Sequence, residues 1–313
     1  MSESTLSAKI EFESTRCAIC QTLGGAEELH PATFDASSLN AAVFSARRLP
    51  DRIHFRMVRC ATCGLVRSDP VADPAILEQL YRQSTFTYGQ EVGDLRHTYG
   101  GLLGRLEDHG AAKGALLEIG CGNGFFLEEA LARGWREVRG VEPGAETIEA
   151  AAPVIRERIV CDFMRRDLFA SGTFDAICLF QVFDHLPDPA GVLAACMDAL
   201  KPGGFILAAN HNVEALPAQL LGERSPIIDI EHTYLFSPRT MRRLFAQCGF
   251  EVCEVRPFWN RYALRYLLRL LPLPSKVKAA LLDAIGDTAI GRLRLRVPLG
   301  NLFLIARKPA AKP

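Results

Sequence analysis

Four of the ten cysteines in this 313-residue chain stand apart by their spacing. Cys17 and Cys20 form CAIC, Cys60 and Cys63 form CATC, and 39 residues separate the two pairs. A CxxC turn offers two thiolates from one tight loop, and two such turns complete the tetrahedron that Zn²⁺ favours. Gly64, directly after Cys63, suits a turn whose amides point at sulfur. With cysteine in all four positions no site is left for water, so the expected ion is structural rather than catalytic. A redox CxxC would need a thioredoxin-like βαβ setting, which neither pair has. Cys121, Cys161, Cys178, Cys196, Cys248 and Cys253 lie among apolar neighbours and are expected as small core residues.

The second chemical signal is LLEIGCGNGFF at 116–126, an apolar run that ends in three closely spaced glycines. Backbone without Cβ lets a ligand approach where a side chain would block it. Glu142 follows Gly120 by 22 residues, and an ionised carboxylate accepts hydrogen bonds from both hydroxyls of a ribose. That much suits a dinucleotide or S-adenosylmethionine (SAM). The dinucleotide fingerprint GxGxxG fails, because Phe125 stands where its third glycine belongs.

The elements around these residues follow a regular alternation. Asp73 and Pro74 open a helix over 73–83, and a second helix is expected over about 93–109. From 115 onward short apolar strands alternate with helices. ALLEIG is a strand, FFLEEALARG a helix ended by Gly134, EVRGVE a strand and AETIEAAA a helix. ERIVCDF, FDAICLF and GFILAAN follow as strands. A helix from Asp188 stops at Pro202, and another runs from Ser237 to Gly249. NLFLIARK at 301–308 reads as a final strand. Strands separated by helices of this length make βαβ units and a mainly parallel sheet. In such a sheet a ligand sits beyond the carboxyl ends of the strands, where GCGNG lies.

LLEIGCGNG, VEP (141–143), CDF (161–163), FDAICLFQVFDHLPDP (174–189) and LKPGGFILAAN (200–210) together resemble the class I SAM-dependent methyltransferases, over roughly 75–310. The resemblance implies an α/β, Rossmann-like sheet, mostly parallel with the last strand antiparallel. It also implies SAM as cofactor. Glu118, Gly120, Cys121, Gly122 and Gly124 match the loop around its methionine part, and Glu142 with Pro143 matches the ribose-binding segment. Asp162 matches the acid near the adenine amino group, Phe163 the ring against the adenine face, and Gln181 the position facing the methionine end. Asp184-His185 stands where the family usually has Glu-His. A four-cysteine module ahead of such a domain is similar to the sugar C-methyltransferases and to methyltransferases related to cell-envelope polysaccharides, as is CATCGLVRSDPVADPAILEQLY. Those sugar enzymes carry a further α/β domain, for which too few residues follow here.

Methyl transfer to a hydroxyl or carbon acid needs in-line placement and a base. His232, flanked by Glu231 and Tyr234 in a long connection after the fifth strand, is the favoured base; His185 is the second candidate and His211 the third. Each can equally be a loop residue bonded to backbone. His30, His54, His97 and His109 are expected to be surface or structural. Tyr81 and Tyr88 either cover the cofactor or pack a helix.

The expected organisation is a zinc-binding module over 1–70, a helical connection covering the cofactor over 71–112, and a SAM domain over 113–313 with a basic helical insert at 257–299. Residues 261–296 carry eight Lys/Arg against two Asp. NRYALRYLLRLL (260–271) would place Arg261, Arg265 and Arg269 on one helical stripe. That stripe suits an anionic membrane, a lipid-linked acceptor, a nucleotide diphosphate, or plain solvent beside a packed helix. Formal net charge is zero, which argues against general nucleic-acid binding, and no NPPY-like tetrad is present. The N-terminus lacks the order of a signal peptide and no run is long enough to span a bilayer, so a cytoplasmic protein, with or without contact at the inner membrane surface, is expected. The expected activity is methylation of a small acceptor, a sugar or cell-envelope precursor free or linked to nucleotide or lipid, on oxygen or carbon. The competing readings are a nucleic-acid (tRNA or rRNA) methyltransferase that uses the zinc module as a reader, and a SAM-fold binding protein without activity.

Overall fold

The structure, a computed structural model, describes residues 11–34, 52–83, 92–271, 273–286 and 288–310. Its centre is a seven-stranded sheet: β1 (Ala115–Ile119), β2 (Glu137–Val141), β3 (Ile159–Val160), β4 (Phe174–Phe180), β5 (Leu200–His211), β6 (Glu251–Ala263) and β7 (Arg294–Arg307). Their order across the sheet is β6-β7-β5-β4-β1-β2-β3. β7 runs antiparallel to β5 and β6, and the remaining pairings are parallel. The mostly parallel sheet with an antiparallel last strand is therefore present as expected.

Helices cover both faces, which is why β1 and β4 read as continuous apolar runs rather than alternating ones. Alternate residues still divide between the faces. Leu117, Ile119, Ile177 and Leu179 join one apolar cluster, while Leu116, Ala176 and Cys178 join the other. Pro189–Ala199 and Pro238–Gln247 supply Leu193, Leu244 and Phe245 to the first. Val92–Asp108 and Phe125–Ala132 supply Leu103, Leu106, Phe126 and Leu127 to the second. Capping is as legible as the packing. Asp73 accepts from Ala75 at 2.8 Å, Asp188 accepts from Gly191 at 2.9 Å, and Ser237 forms a capping box with Thr240.

The cysteine segment is stitched to the sheet domain. Met57–Cys60 pairs with Ala26–His30 on one side and with Val66–Ser68 on the other. Tyr234–Leu235, from the connection after β5, then adds to Val66–Ser68 in register Tyr234↔Arg67. Cys17, Ile19, Cys60 and Leu65 share an apolar cluster with Phe183, Tyr234 and Phe236, so the cysteine segment has no separate core there.

Several expected boundaries shift for local reasons. The helix expected over AETIEAAA shortens to Ala145–Glu149, because Pro153 has no N–H to donate to Glu149, and a separate turn of helix, Pro153–Arg156, follows. The strand expected over 157–163 shrinks to Ile159–Val160, an edge strand bonded only to β2. The basic stripe over 260–271 is not a single helix. β6 continues through Ala263, paired with Arg294, so Arg261 lies on a strand and the helix is Leu264–Leu270. A second helix, Ser275–Ile285, follows, and β7 begins at Arg294, so the helical part of the expected 257–299 insert lies between 264 and 285. Alternating side chains in FWNRYA suit the long β6–β7 ribbon better than a helix. Cys161 and Cys253 are exposed, contrary to the core expectation, whereas Cys121, Cys178 and Cys196 are buried. Both exposed cysteines lie at or beside the edge strands, which lack a neighbouring strand on one side.

Candidate functional site

Beyond the carboxyl ends of β1, β2 and β4 lies a cavity of about 470 Å³. Gly120 and Gly122 line it after β1, Glu142 and Pro143 after β2, and Gln181, Val182 and His185 after β4. Asp162, Phe163 and Met164 form a further wall, and the helix Pro74–Arg82 contributes Leu77, Glu78 and Tyr81. Tyr88 lies outside the described residues.

The glycines serve different ends. Gly120, Gly122 and Gly124 all have positive φ, at 69°, 55° and 73°. A Cβ on Gly120 would fall 2.3 Å from Val182, and one on Gly124 would fall 2.3 Å from Ile155. Gly124 caps the helix Phe125–Ala132 and does not line the cavity. Cys121, expected beside the cofactor, turns into the core, where a Cβ on Gly140 would meet its Sγ at 2.5 Å. Gly120 and Gly122, without Cβ, are the loop residues that line the cavity.

Glu142 is drawn to this loop. Its Oε2 accepts from the Gly122 amide and its Oε1 from the Gly144 amide, both at 3.0 Å. Burial raises its pKa and the two amides oppose that rise. Each carboxylate oxygen keeps acceptor capacity for a further donor. Glu118, at 3% exposure, has its Oε2 without a hydrogen-bond partner, as have Gln181 Oε1 and Asn123 Oδ1. Burial, with the Glu142 charge, holds the Glu118 carboxyl well above its ordinary value. Gln181 also sits at φ 56°, a costly conformation for a residue with a side chain. Of these, Gln181 lines the cavity, and an orphaned acceptor there suits a ligand that brings donors such as an ammonium group. Asp162 accepts from the Phe163 amide at 2.8 Å and pairs with Arg165, which lowers its pKa, and with Arg82 at 3.4 Å. The Arg82 guanidinium lies 4.9 Å from the centre of the Phe163 ring.

On the far side of the cavity stands a second group, centred on Asp184, which is fully buried. Its backbone carbonyl accepts from the Thr233 and Tyr234 amides, at 3.0 and 3.1 Å. Its Oδ2 lies 2.6 Å from His211 Nδ1 and 3.9 Å from His232 Nε2, and its Oδ1 lies 3.7 Å from His185 Nε2. Burial alone would raise the Asp184 pKa, but the three rings, His211 foremost, hold it well below the usual carboxylate range. Burial pushes His185 down to about 4 against the pull of Asp184, and lowers His232 as well. Tyr81 Oη is 3.3 Å from His185 Nδ1 and donates to the Glu231 carbonyl at 3.3 Å.

The expected bases are therefore placed unequally. His185 and Glu231 line the cavity, whereas His232 is 6% exposed, lies outside the lining, and is held by the Ile227 carbonyl at 2.8 Å from its Nδ1. Asp184 was missed as the hub. Its only sequence signal is the pair Asp184-His185 in place of Glu-His, since its partners come from residues 27 and 48 positions away.

The four N-terminal cysteines converge, with their sulfurs within 4.8 Å of one another. The two turns repeat one geometry. Cys17 O accepts from Gln21 N at 2.8 Å and Cys60 O from Gly64 N at 2.9 Å. Cys17 N donates to Thr22 O and Cys60 N to Leu65 O, at 3.0 and 2.9 Å. Gln21 and Gly64, each just after the second cysteine, both have positive φ. Cys17 and Cys63 sulfurs are 3.5 Å apart, near the roughly 3.8 Å edge of a tetrahedron with zinc–sulfur bonds of about 2.3 Å.

A family model described as a methyltransferase domain matches residues 92–255. Ubiquinone biosynthesis O-methyltransferase of Pectobacterium atrosepticum is 31% identical over 115 residues, covering 34% of this chain and 47% of that one. The protein of the same name from Psychrobacter arcticus is 32% identical over 116 residues, covering 34% and 45%. The chain thus spans about half the length of these curated relatives. Among solved structures, a Bacillus halodurans protein proposed as a methyltransferase superposes with TM-score 0.50 at 18% identity, covering 67% of this chain and 99% of that one. The YcgJ protein of Bacillus subtilis does so with TM-score 0.50 at 14% identity, covering 68% and 100%. These two superpositions bear on the fold alone.

Proposed function

Because the chain belongs to the methyltransferase-domain family matched over residues 92–255, we propose that it transfers a methyl group from SAM to a small-molecule acceptor. The observation that carries this reading is one cavity walled on one side by Gly120, Gly122 and Glu142 and on the other by His185. SAM brings a sulfonium methyl group. Glu142 accepts from its ribose hydroxyls, Asp162 and Phe163 meet its adenine, and Gln181 and the orphaned Glu118 carboxylate take up its ammonium end. Pro143 and the Gly120–Gly122 backbone complete that wall, while Cys121 and Gly124 shape the turn from behind.

His185 is the base in this reading, since its ring reaches the cavity while His232 stands behind it against Asp184. Tyr81 Oη, 3.3 Å from His185 Nδ1, orients the ring. With SAM bound, the sulfonium would supply the methyl group and sulfur would keep the electron pair of the bond that breaks, while His185 would take the proton of an acceptor hydroxyl held in line. Glu231, on the same wall, binds the acceptor.

The acceptor proposed is a sugar or cell-envelope precursor, free or linked to a nucleotide or lipid. The four-cysteine module in front of the SAM domain supports a sugar, and the O-methyltransferase names of the relatives support transfer to oxygen. Zn²⁺ at Cys17, Cys20, Cys60 and Cys63 is proposed as structural, supported by the paired turns and the closed thiolate set. Among the described residues no helix is long and apolar enough to cross a membrane. A cytoplasmic location with contact at the membrane surface through 260–271 fits the exposed Trp259 and Leu271 beside its arginines. Incubation with methyl-labelled SAM and separate pools of nucleotide-sugars, lipid-linked sugars and tRNA tests the reading. Label in a sugar pool supports it, and label confined to tRNA overturns the acceptor class.

A further inference from the structure

We infer that Asp184, His211 and His232 form a binding site for a divalent transition-metal ion, separate from the four-cysteine cluster and beside the SAM cavity. One donor atom from each residue lies within 4.8 Å of the other two. The set is two imidazoles and one carboxylate, a donor combination suited to Zn²⁺ or Fe²⁺.

The hydrogen bonds fix which atoms face inward. The Ile227 carbonyl can only accept, so His232 Nδ1, 2.8 Å from it, carries the ring proton. His232 Nε2 then presents a lone pair towards Asp184 Oδ2, 3.9 Å away and too far for a hydrogen bond. Orienting a ligating imidazole through its other nitrogen is how metal sites hold their histidines.

Asp184 Oδ1 is buried without a hydrogen-bond partner. His211 Nδ1, 2.6 Å from Asp184 Oδ2, shares a proton with it in the metal-free chain, so an ion bound here would displace that proton, while the His232 Nε2 lone pair and the unpartnered Asp184 Oδ1 supply the remaining acceptors. Ligands at about 2.1 Å from a tetrahedral ion stand about 3.4 Å apart, so on binding the 3.9 Å His232–Asp184 gap closes by about half an ångström and the 2.6 Å His211–Asp184 contact opens by about 0.8 Å. Three protein ligands leave a position open, next to the His185 that lines the cavity.

This inference rests on the methyltransferase reading only for its consequence. An acceptor oxygen in the open position would be polarised and its proton made easier to remove, which suits a hydroxyl acceptor better than a carbon one. The site itself stands on geometry.

The test is the zinc content of the full chain after equilibration with Zn²⁺ and removal of free ion. Two equivalents are expected for the wild type, and one for Asp184→Asn and for His211→Ala, with SAM affinity by calorimetry reporting that each variant is folded. A folded Asp184→Asn that retains as much zinc as the wild type, whether one equivalent or two, overturns the site. The outcome is independent of catalysis. A chain with two ions and no methyl transfer keeps this site and loses the proposed activity, whereas a chain that methylates and whose zinc content Asp184→Asn leaves unchanged does the reverse.

Discussion

Ser68 Oγ donates to the main-chain carbonyl of His232 at 2.8 Å. The Ser68 amide donates to the next carbonyl, Thr233, at 2.9 Å, and Tyr234 pairs with Arg67. The hairpin that carries Cys60 and Cys63 is thus an edge template for the loop that carries His232. Thr233 and Tyr234 in turn hold the backbone of Asp184. The cysteine segment and the histidine group are one hydrogen-bonded unit.

Cys60→Ser should therefore do more than lower the stability of the N-terminal segment. Loss of a structural metal site belongs to the rare changes that cost more than about 4 kcal/mol, and the strain reaches Asp184 through Ser68 and Thr233. A lowered unfolding temperature together with weaker Zn²⁺ retention is expected in thermal melts and metal analysis. Full Zn²⁺ content in the variant would remove Cys60 as a ligand.

Glu142→Ala should weaken SAM binding by about 1.5–3 kcal/mol, roughly tenfold or more, because two ribose hydroxyls lose a charged acceptor. The Gly122 and Gly144 amides lose their partner in the same step. Isothermal calorimetry measures this directly, and unchanged affinity would displace Glu142 from the cofactor site.

SAM affinity should rise with pH through the folded-state pKa of Glu118. Burial holds that pKa well above the ordinary 4.5, so between 4.5 and the folded value the native state keeps a proton that the unfolded chain gives up. Across that window Glu118 therefore lowers folding stability as pH rises. An ammonium group beside it favours the ionised form, so SAM binding should release protons when the pH lies below the folded value. Calorimetry in buffers of different ionisation enthalpy counts them; net proton uptake would contradict the placement of Glu118.

His185→Ala should lower single-turnover methyl transfer by about 10²–10⁴, the usual cost of removing a general base, while SAM affinity changes little. A near-normal rate with the true acceptor would leave positioning alone as the source of catalysis.

Much of the site can be read from the chain because its parts are local. Gly120, Gly122, Glu142 and Asp162 each follow a strand at a fixed point of a βαβ unit, and each cysteine pair is a single turn. Asp184 and His232 come from two separate loops and His211 from the end of β5, and nothing in local periodicity announces their meeting. The strand through Arg261 was hidden for a different reason. Leucine-rich sequence on its far side suggested a helix, while the pairing that decides the matter is with Arg296, a long-range partner. His232 looked like the more reachable base because polar neighbours surround it in sequence. Burial against Ile227 and Asp184, a tertiary effect, turned it from the cavity.

The most direct test of the account is a calorimetric titration of the wild-type chain with SAM and, separately, with NADH. The Gly120–Gly122 backbone, Glu142 and the Phe125 that breaks the dinucleotide fingerprint predict one SAM bound per chain and no NADH. Binding of NADH without SAM would contradict the proposed function at its root.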